Sequence, residues 1–395
     1  LGWQVMKNNK MCAILGNEHE YTELLPLTKR RALATLYFDC KYRIMDFALS
    51  SIVNANIRNI FLVVNQAKLK SYFDHLGGGR EWELDSIGSY RYINFSQDLV
   101  RQKVEGQKYF DDVIDYLEKS RSTYTVFVGN KMLNSVDLKA VLKIHKAQKN
   151  DMTVVFKRMP KDKIASDDQI LEIDDQTNRV KGNHNFSEYP HNSDIYNLSM
   201  NIFIIETQNL INQLRKGQRI GASANLEDFF LSLISRLNCG TYEYTGYMCN
   251  IFDVKSYYDA NMDMLNVDHM NSLLYSSQHI ITRTKNEVAT HFTKTSDVKN
   301  SQFATGCVVE GYVRNSLVSR RTFISENSKV EDSIIMSNAR IGKDVEIKYA
   351  ILDKDVVVKS GVKIIGTPEN PVVIEKKMKV TSDVIQDTPR EDVED

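Results

Sequence analysis

The stretch from Val318 to Ile364 limits the possible fold more than any other part of this sequence. Val318, Ile324 and Val330 are six residues apart. So are Ile335, Ile341 and Ile347, and again Leu352, Val358 and Ile364. Each triplet begins five residues after the last one ends, so the pattern returns every 17 residues. Helical spacing is absent here. Steps of six are the signature of a parallel β-helix, with three short faces per coil and one inward apolar residue per face. One coil cannot bury its own core, so these residues must stack in columns such as Val318, Ile335 and Leu352. Cys307 and Val313 fit one coil earlier, and Thr367 to Pro371 (TPENP) is expected to end the array.

Before the solenoid the pattern is different. Short apolar runs lie at Met11 to Leu15, Asn59 to Val64, Tyr124 to Val128, Met152 to Phe156 and Leu198 to Ile205. A run that is apolar at every position suits a parallel strand buried on both faces. Between them stand helically spaced stretches, including Lys68 to Leu76, Leu138 to Lys149, Leu226 to Leu237 and Val254 to Leu265. Repeated strand-then-helix units predict a doubly wound parallel sheet. Gly77 to Gly79 reads as a loop, and Asp174 to Asp194 as a loop or short hairpin. The 395 residues then divide into an α/β domain over 6–268, a connector over 269–295, a β-helix over 296–377 and an acidic tail over 378–395. Low apolar content makes the tail a candidate for disorder. Residues 1–5, before Met6, read as an expression-derived extension.

Several function classes are excluded at once. Basic and acidic residues balance at 51 each, so no bulk attraction draws the chain to nucleic acid or an anionic membrane. No apolar run approaches the ~20 residues that span a bilayer. Cys12, Cys40, Cys239, Cys249 and Cys307 are odd in number and scattered, without a CxxC pair. Neither a disulfide framework nor a zinc site is indicated, and a reducing cytoplasm is the expected compartment.

The candidate site begins just after the first strand, where open α/β sheets bind ligands. Pro26 to Asn56 reads PLTKRRALATLYFDCKYRIMDFALSSIVNAN. Lys29, Arg30, Arg31, Lys41 and Arg43 make a cationic loop, followed by a helix with Ile44, Phe47, Ala48, Ile52 and Ala55 on one face. PLTKRRA, KYRIMDFALS and the following Asn54 resemble the glucose-1-phosphate adenylyltransferase (ADP-glucose pyrophosphorylase) family, with weaker echoes to about residue 365. The resemblance implies a nucleotidyltransferase-like (Rossmann-like) domain followed by a left-handed parallel β-helix of hexapeptide repeats.

The letters that carry the family's chemistry differ. Nucleotidyl transfer needs glycines that let backbone N–H groups cradle the triphosphate, carboxylates that hold Mg²⁺, and cations around the reacting phosphorus. The family's LAGGxGTRL loop is replaced by LGNEHEYTELL, with Glu23 in place of its arginine. Its Ala-Lys-Pro becomes Ala32-Leu33-Ala34. Ala-Gly-Asp-His falls on Val128-Gly129-Asn130-Lys131, and Asp-Val-Gly-Thr on Asn250 to Asp253. Asn130 and Asn250 therefore stand where the two metal carboxylates belong. Gly-Thr-Ala-Asp maps to Lys108 to Asp111, where Tyr109 and Phe110 would crowd the cleft. The sugar-phosphate lysine has no counterpart in Lys181 to Ser187.

Leu33, Asn130 and Asn250 are thus read as vestigial catalytic positions, with no metal or other cofactor held by this chain and Mg²⁺ left to a catalytic partner. Arg30, Arg31, Tyr37 and Arg43 fall on the family's positions for anionic effectors, and guanidinium forks suit phosphate. Interface salt bridges would use the same arginines, and Arg320 and Arg321 could approach the same pocket. Asp253 or Asp46 could replace a lost metal ligand, but Asp253 at a helix start more often caps the helix. The reading that results is a regulatory subunit paired with a homologous catalytic subunit and responsive to an anionic metabolite. The alternative is an active but divergent enzyme making ADP-glucose from ATP and glucose 1-phosphate. An acyltransferase reading of the β-helix is set aside, because no His lies between Cys307 and Ile365 to act as base.

Overall fold

The computed structural model describes residues 10–386 except 17–18, 86–88, 175, 191 and 286. The N-terminal extension and the last half of the acidic tail, 387–395, lie outside the described residues, while its first half, 378–386, carries two strands of the β-helix and so is not the disordered tail expected. The first domain is built on nine strands: β1 (Met11–Leu15), β2 (Asn59–Val64), β3 (Tyr90–Phe95), β4 (Tyr124–Val128), β5 (Met152–Pro160), β6 (Gln169–Asp174), β7 (Arg179–Asn185), β8 (Ile195–Glu206) and β9 (Cys239–Glu243). Its helices are α1 (Ile44–Asn54), α2 (Leu69–Leu76), α3 (Ser96–Val104), α4 (Asp111–Ser120), α5 (Leu138–Ala147), α6 (Thr207–Ile220), α7 (Leu226–Ile234), α8 (Val254–Met262) and α9 (Val267–Leu274). The continuous apolar runs have a simple cause. Ala13 and Leu15 enter one core, and Cys12 and Ile14 the other. Leu62 and Phe61 divide in the same way, as do Val126 and Phe127. Alternate side chains of each strand point to opposite faces, and helices cover both.

The strand order is β3-β2-β1-β4-β8-β5-β9-β7-β6. The sheet is mixed, not wholly parallel as the strand-then-helix pattern implied. β1, β2, β3 and β4 run parallel, but β8 is antiparallel to both β4 and β5. A parallel return needs a crossover helix. Between β5 and β8 the described chain forms only short turns and the β6–β7 hairpin, so β8 enters in the opposite sense. β1 followed by α1 leads to one side of the sheet, and β4 lies on the other side of β1. The C-terminal ends of β1 and β4 thereby flank a topological switch point, the place where such sheets bind ligands.

The second domain is the parallel β-helix that the repeat predicts. Ile324, Ile341 and Val358 stack in one inward column, Val330, Ile347 and Ile364 in another, and Val318, Ile335 and Leu352 in the third. All nine are at most 2% exposed. The corner residues Asn327, Asn338, Asp344 and Asp355 have positive φ, a region that Asn and Asp tolerate better than other residues with a Cβ. Two expectations need correction. Val309, not Cys307, stacks under Ile324, because this coil advances from 309 to 324 where the next advances from 324 to 341. The TPENP stretch does not end the array. It is a loop inside a coil, after which Val372–Ile374, Lys379–Val380 and Val384–Ile385 stack on the coil before.

A third hydrophobic cluster joins the domains. Leu27, Phe38 and Phe47 from the opening stretch meet Tyr257 and Leu273 and, from the solenoid, Ile334, Met336 and Ile351. Arg31 crosses the same joint and donates through Nη2 to both oxygens of Asp353 at 2.7 and 2.8 Å. Among the described residues no helix is long and apolar enough to cross a membrane.

Candidate functional site

The cleft at the ends of β1 and β4 is built from close backbone approach. Gly129 N donates to Asn201 O at 2.9 Å, and a Cβ on Gly129 would meet the Cβ of Asn201 at 3.2 Å. Asn201 sits in an irregularity of β8, between Ser199 and Ile202, with φ 53. Such a bulge re-aims a side chain, and here Asn201 Nδ2 donates to Glu227 at 2.7 Å. A short strand, Met132–Leu133, pairs with Cys249–Asn250, and Met132 lies opposite Asn250. This pairing carries Asn130 and Asn250, far apart in the chain, into one site. Both are buried, and among the described residues the Oδ1 of each has no hydrogen-bond partner.

The neighbouring residue, Lys131, carries a positive charge into this site. Its side chain is 2% exposed, and its ammonium lies 2.5 Å from Asp168. It also donates to the Tyr21 hydroxyl. Asp168 in turn accepts from Asn250 Nδ2 at 2.6 Å. Beside Leu33, Asn130 and Lys131 the cleft retains only about 10 Å³, room for about one water. A polar chain continues across the mouth. Tyr21 donates to Asp167 at 3.0 Å, and His19 stands 3.5 Å from both Asp167 and Glu227. A roomier pocket of about 270 Å³ persists beyond it, between Gly16, Ser96, Leu99, Phe127 and Glu227.

This chain of charges makes stability depend on pH. Burial of the His19 ring opposes its charge, but hydrogen bonds to Asp167 and Glu227 outweigh it and lift the pKa to about 9. A histidine raised from ~6.5 stabilises the fold fully below pH ~6.5, and loses that contribution as pH rises through about 9. Wild type is expected to exceed His19→Gln by about 2–3 kcal/mol at pH 6 and to converge with it near pH 10. Urea unfolding of both proteins across this range measures the difference. A gap that is flat with pH would mean that His19 stays neutral.

The other sequence-derived positions are resolved individually. Leu33 is buried in the interdomain cluster. Tyr109 and Phe110 do not crowd the cleft. Tyr109 packs on Phe110 and Phe110 on Phe229, and Tyr109 donates to Ala222 O at 2.8 Å, because two aromatic rings are better buried in the core beneath α6 and α7. Lys181 pairs with Asp174 across the β6–β7 hairpin. Asp46 is fully buried, receiving Arg43 N at 2.9 Å and Thr282 Oγ1 at 2.6 Å and contacting His75 at 2.5 Å. Asp253 caps α8 through Ser256 N at 2.6 Å. Both acids are thus committed to structure. A divalent metal does not fit the residues at Asn130 and Asn250, where two neutral amides adjoin a buried ammonium. Among the described residues no group of three His, Cys, Asp or Glu side chains is arranged to hold one.

A second pocket lies where the opening stretch meets the connector and the solenoid. Its volume is about 380 Å³, and its lining includes Tyr37, Arg43, His75, Arg283, Lys285 and Arg320. The Arg43 guanidinium stacks 3.5 Å above the Tyr37 ring. Burial would raise the Tyr37 pKa, yet Arg43, Lys354, Arg31 and Arg320 together lower it, a direct sign of a positive field. Lys285 is lowered by burial and by the charge of Arg320. Of the four residues expected to bind an effector, Tyr37 and Arg43 line this pocket. Arg31 does not, being held by Asp353 in the joint, and Arg30 is exposed outside it. Arg320 joins the pocket from the solenoid and, like Arg321, pairs with Glu287. Sequence reasoning missed Lys285, His19, Asp167, Asp168 and Glu227. Each lies among other polar residues in a loop or at a helix start, and no spacing rule singles it out.

Comparison with known proteins agrees with this geometry. Residues 20–267 match the nucleotidyl transferase family model, and residues 286–385 match the GlmU-like C-terminal hexapeptide model. The chain belongs to the nucleotidyl transferase family. It is 29% identical over 373 residues to the glycogen biosynthesis protein GlgD of Bacillus subtilis (strain 168), covering 94% of this chain and 97% of that protein. It is 28% identical over 344 residues to the glucose-1-phosphate adenylyltransferase of Clostridioides difficile (strain 630), covering 84% and 86%. Within the family it fits the GlgD type of the ADP-glucose pyrophosphorylases, which places it among the nucleotidyltransferase relatives of glycogen synthesis.

Proposed function

We propose that this chain is a regulatory, catalytically deficient subunit of a hetero-oligomeric ADP-glucose pyrophosphorylase in glycogen or storage-polysaccharide synthesis. The observation that carries the reading is the buried Lys131–Asp168–Asn250 arrangement, which sets a fixed ammonium where the family's chemistry needs two carboxylates. The chain would hold no Mg²⁺, the metal being supplied with the homologous catalytic subunit that is its partner. Neither nucleic acid nor membrane is a partner in this reading. Its five free cysteines suit a reducing cytoplasm.

The regulatory half of the proposal rests on the Tyr37 pocket. Arg43, Lys285 and Arg320 converge there from three segments, two of them outside the opening stretch. A phosphorylated or otherwise anionic metabolite would find charge-assisted donors and would bridge the domains, so that its binding biases how they pack. Lys285→Ala removes one cation without touching the joint. In the mixed complex it is expected to raise the half-maximal effector concentration by about tenfold or more, since a hydrogen bond to a charged group contributes about 1.5–3 kcal/mol. ADP-glucose synthesis across an effector titration reads this out, with size-exclusion chromatography confirming equal assembly. Identical titration curves for assembled mutant and wild type would remove the pocket from regulation.

A further inference from the structure

The pocket of about 270 Å³ at the ends of β1 and β2 is short of positive charge. Val63, Leu99, Phe127 and Leu226, all buried, give it an apolar wall. Its charged lining is Glu20 and Glu227, and among the described residues no Lys, Arg or His joins them. Glu20 is balanced by Lys68, 2.7 Å away. Glu227 belongs to the chain of charges across the cleft mouth. There, even with His19 protonated, His19 and Lys131 face Asp167, Asp168 and Glu227. Two cations against three carboxylates leave one negative charge unbalanced. Glu227 is 5% exposed, and its Oε1 accepts from Asn201 Nδ2, but its Oε2 has no hydrogen-bond partner among the described residues. A buried carboxylate oxygen left without a donor is costly.

We propose that this pocket binds a small organic cation, an apolar or aromatic body carrying one ammonium that donates to the Glu227 carboxylate. Such a ligand supplies both the charge and the N–H donor that the site lacks. An anion does not suit it. α7 starts at the pocket, and a helix N-terminus ordinarily attracts phosphate. Here Asn225 Oδ1 already accepts from Glu227 N at 2.8 Å and Asp228 N at 3.3 Å, and those two acids occupy the first turn. The donors are spent and the field is negative. A polyol suits it no better, because Asn65 gives its Oδ1 to Ala67 N and its Nδ2 to Glu20, and the opposite wall is apolar. Pockets for drug-sized ligands begin at ~300 Å³, so the body is about the size of one aromatic ring. None of these residues lines the Tyr37 pocket, so the two sites can be tested apart.

Calorimetric titration of the full-length protein with 2-phenylethylamine, protonated at neutral pH, tests the proposal. 2-Phenylethanol has the same body without the charge. The amine is expected to bind at one site, and the alcohol at least about tenfold more weakly. Glu227→Gln should weaken amine binding by about tenfold or more. Val100→Trp gives a second arm that does not depend on how the first variant folds. Val100 is half-exposed at the rim, so an indole there should close the mouth and abolish binding while leaving the melting temperature unchanged. Failure of the wild type to bind the amine overturns the proposal. So does equal binding of amine and alcohol, or binding unchanged in either folded variant. Displacement of the amine by ATP with Mg²⁺ would also overturn it, by showing that an anion takes the pocket.

Discussion

Supplied with ATP, glucose 1-phosphate and Mg²⁺, the purified chain is expected to form ADP-glucose at least about 10⁴-fold more slowly than a catalytic relative assayed beside it. The resemblance sets the amides Asn130 and Asn250 at the family's two metal-carboxylate positions, and Leu33 at the lysine of its Ala-Lys-Pro motif. Groups that stabilise charge in a transition state are worth ~10²–10³ each, and several are missing together. The structure adds a reason that composition does not contain. Lys131 already neutralises the site, with Asp168 fixed against it at 2.5 Å. For that reason Asn130→Asp or Asn250→Asp singly is expected to leave the chain inactive, because a new carboxylate would adjoin an ammonium where the family places a metal. Turnover at ~1–10³ per second by the chain alone would refute the regulatory reading. Robust activity in either single mutant would show that Lys131 does not block the site.

Ile341→Asp is expected to cost about 5 kcal/mol or more and to unfold the solenoid as a unit. Ile341 is 1% exposed and stands in a column between Ile324 and Val358. The loss combines a cavity with a stranded charge. A buried Asp relieves the charge by binding a proton, so its folded pKa rises above the unfolded ~3.9. The penalty is therefore smallest below pH ~4 and grows as pH rises toward the folded value. Circular dichroism melts at pH 4 and pH 8 should show the mutant closer to wild type at the lower pH. An equal loss at both would mean that the side chain escapes to water, and that the column register is wrong.

The β-helix was legible because its physics is local and periodic. Nine positions obey one rule, and each inward residue is determined by its own coil and the next. The rule failed only where coil length changed, at Val309 and at the TPENP loop, since spacing cannot reveal which residues leave the ladder. The first domain was legible in its buried strands, where both faces of each strand are apolar. The direction of β8 was not, because it depends on the missing crossover helix and not on any residue of β8 itself. β3 and α3 also escaped notice, being too polar and too partly buried to show a clear period, whereas α4 was missed although Val113, Ile114, Leu117 and Ser120 bury one helical face.

By itself the sequence determined the two-domain architecture and the columns of the solenoid, since each follows from residue type at a recognisable spacing, and the family resemblance sets the amides Asn130 and Asn250 where carboxylates are expected. Tertiary structure alone decided what surrounds them. Lys131 finds Asp168, Arg31 finds Asp353 and Lys285 joins Arg43, each across a separation no local pattern encodes. Charges pair wherever folding brings them together out of water, and that is a property of the packed chain, not of the spacing along it.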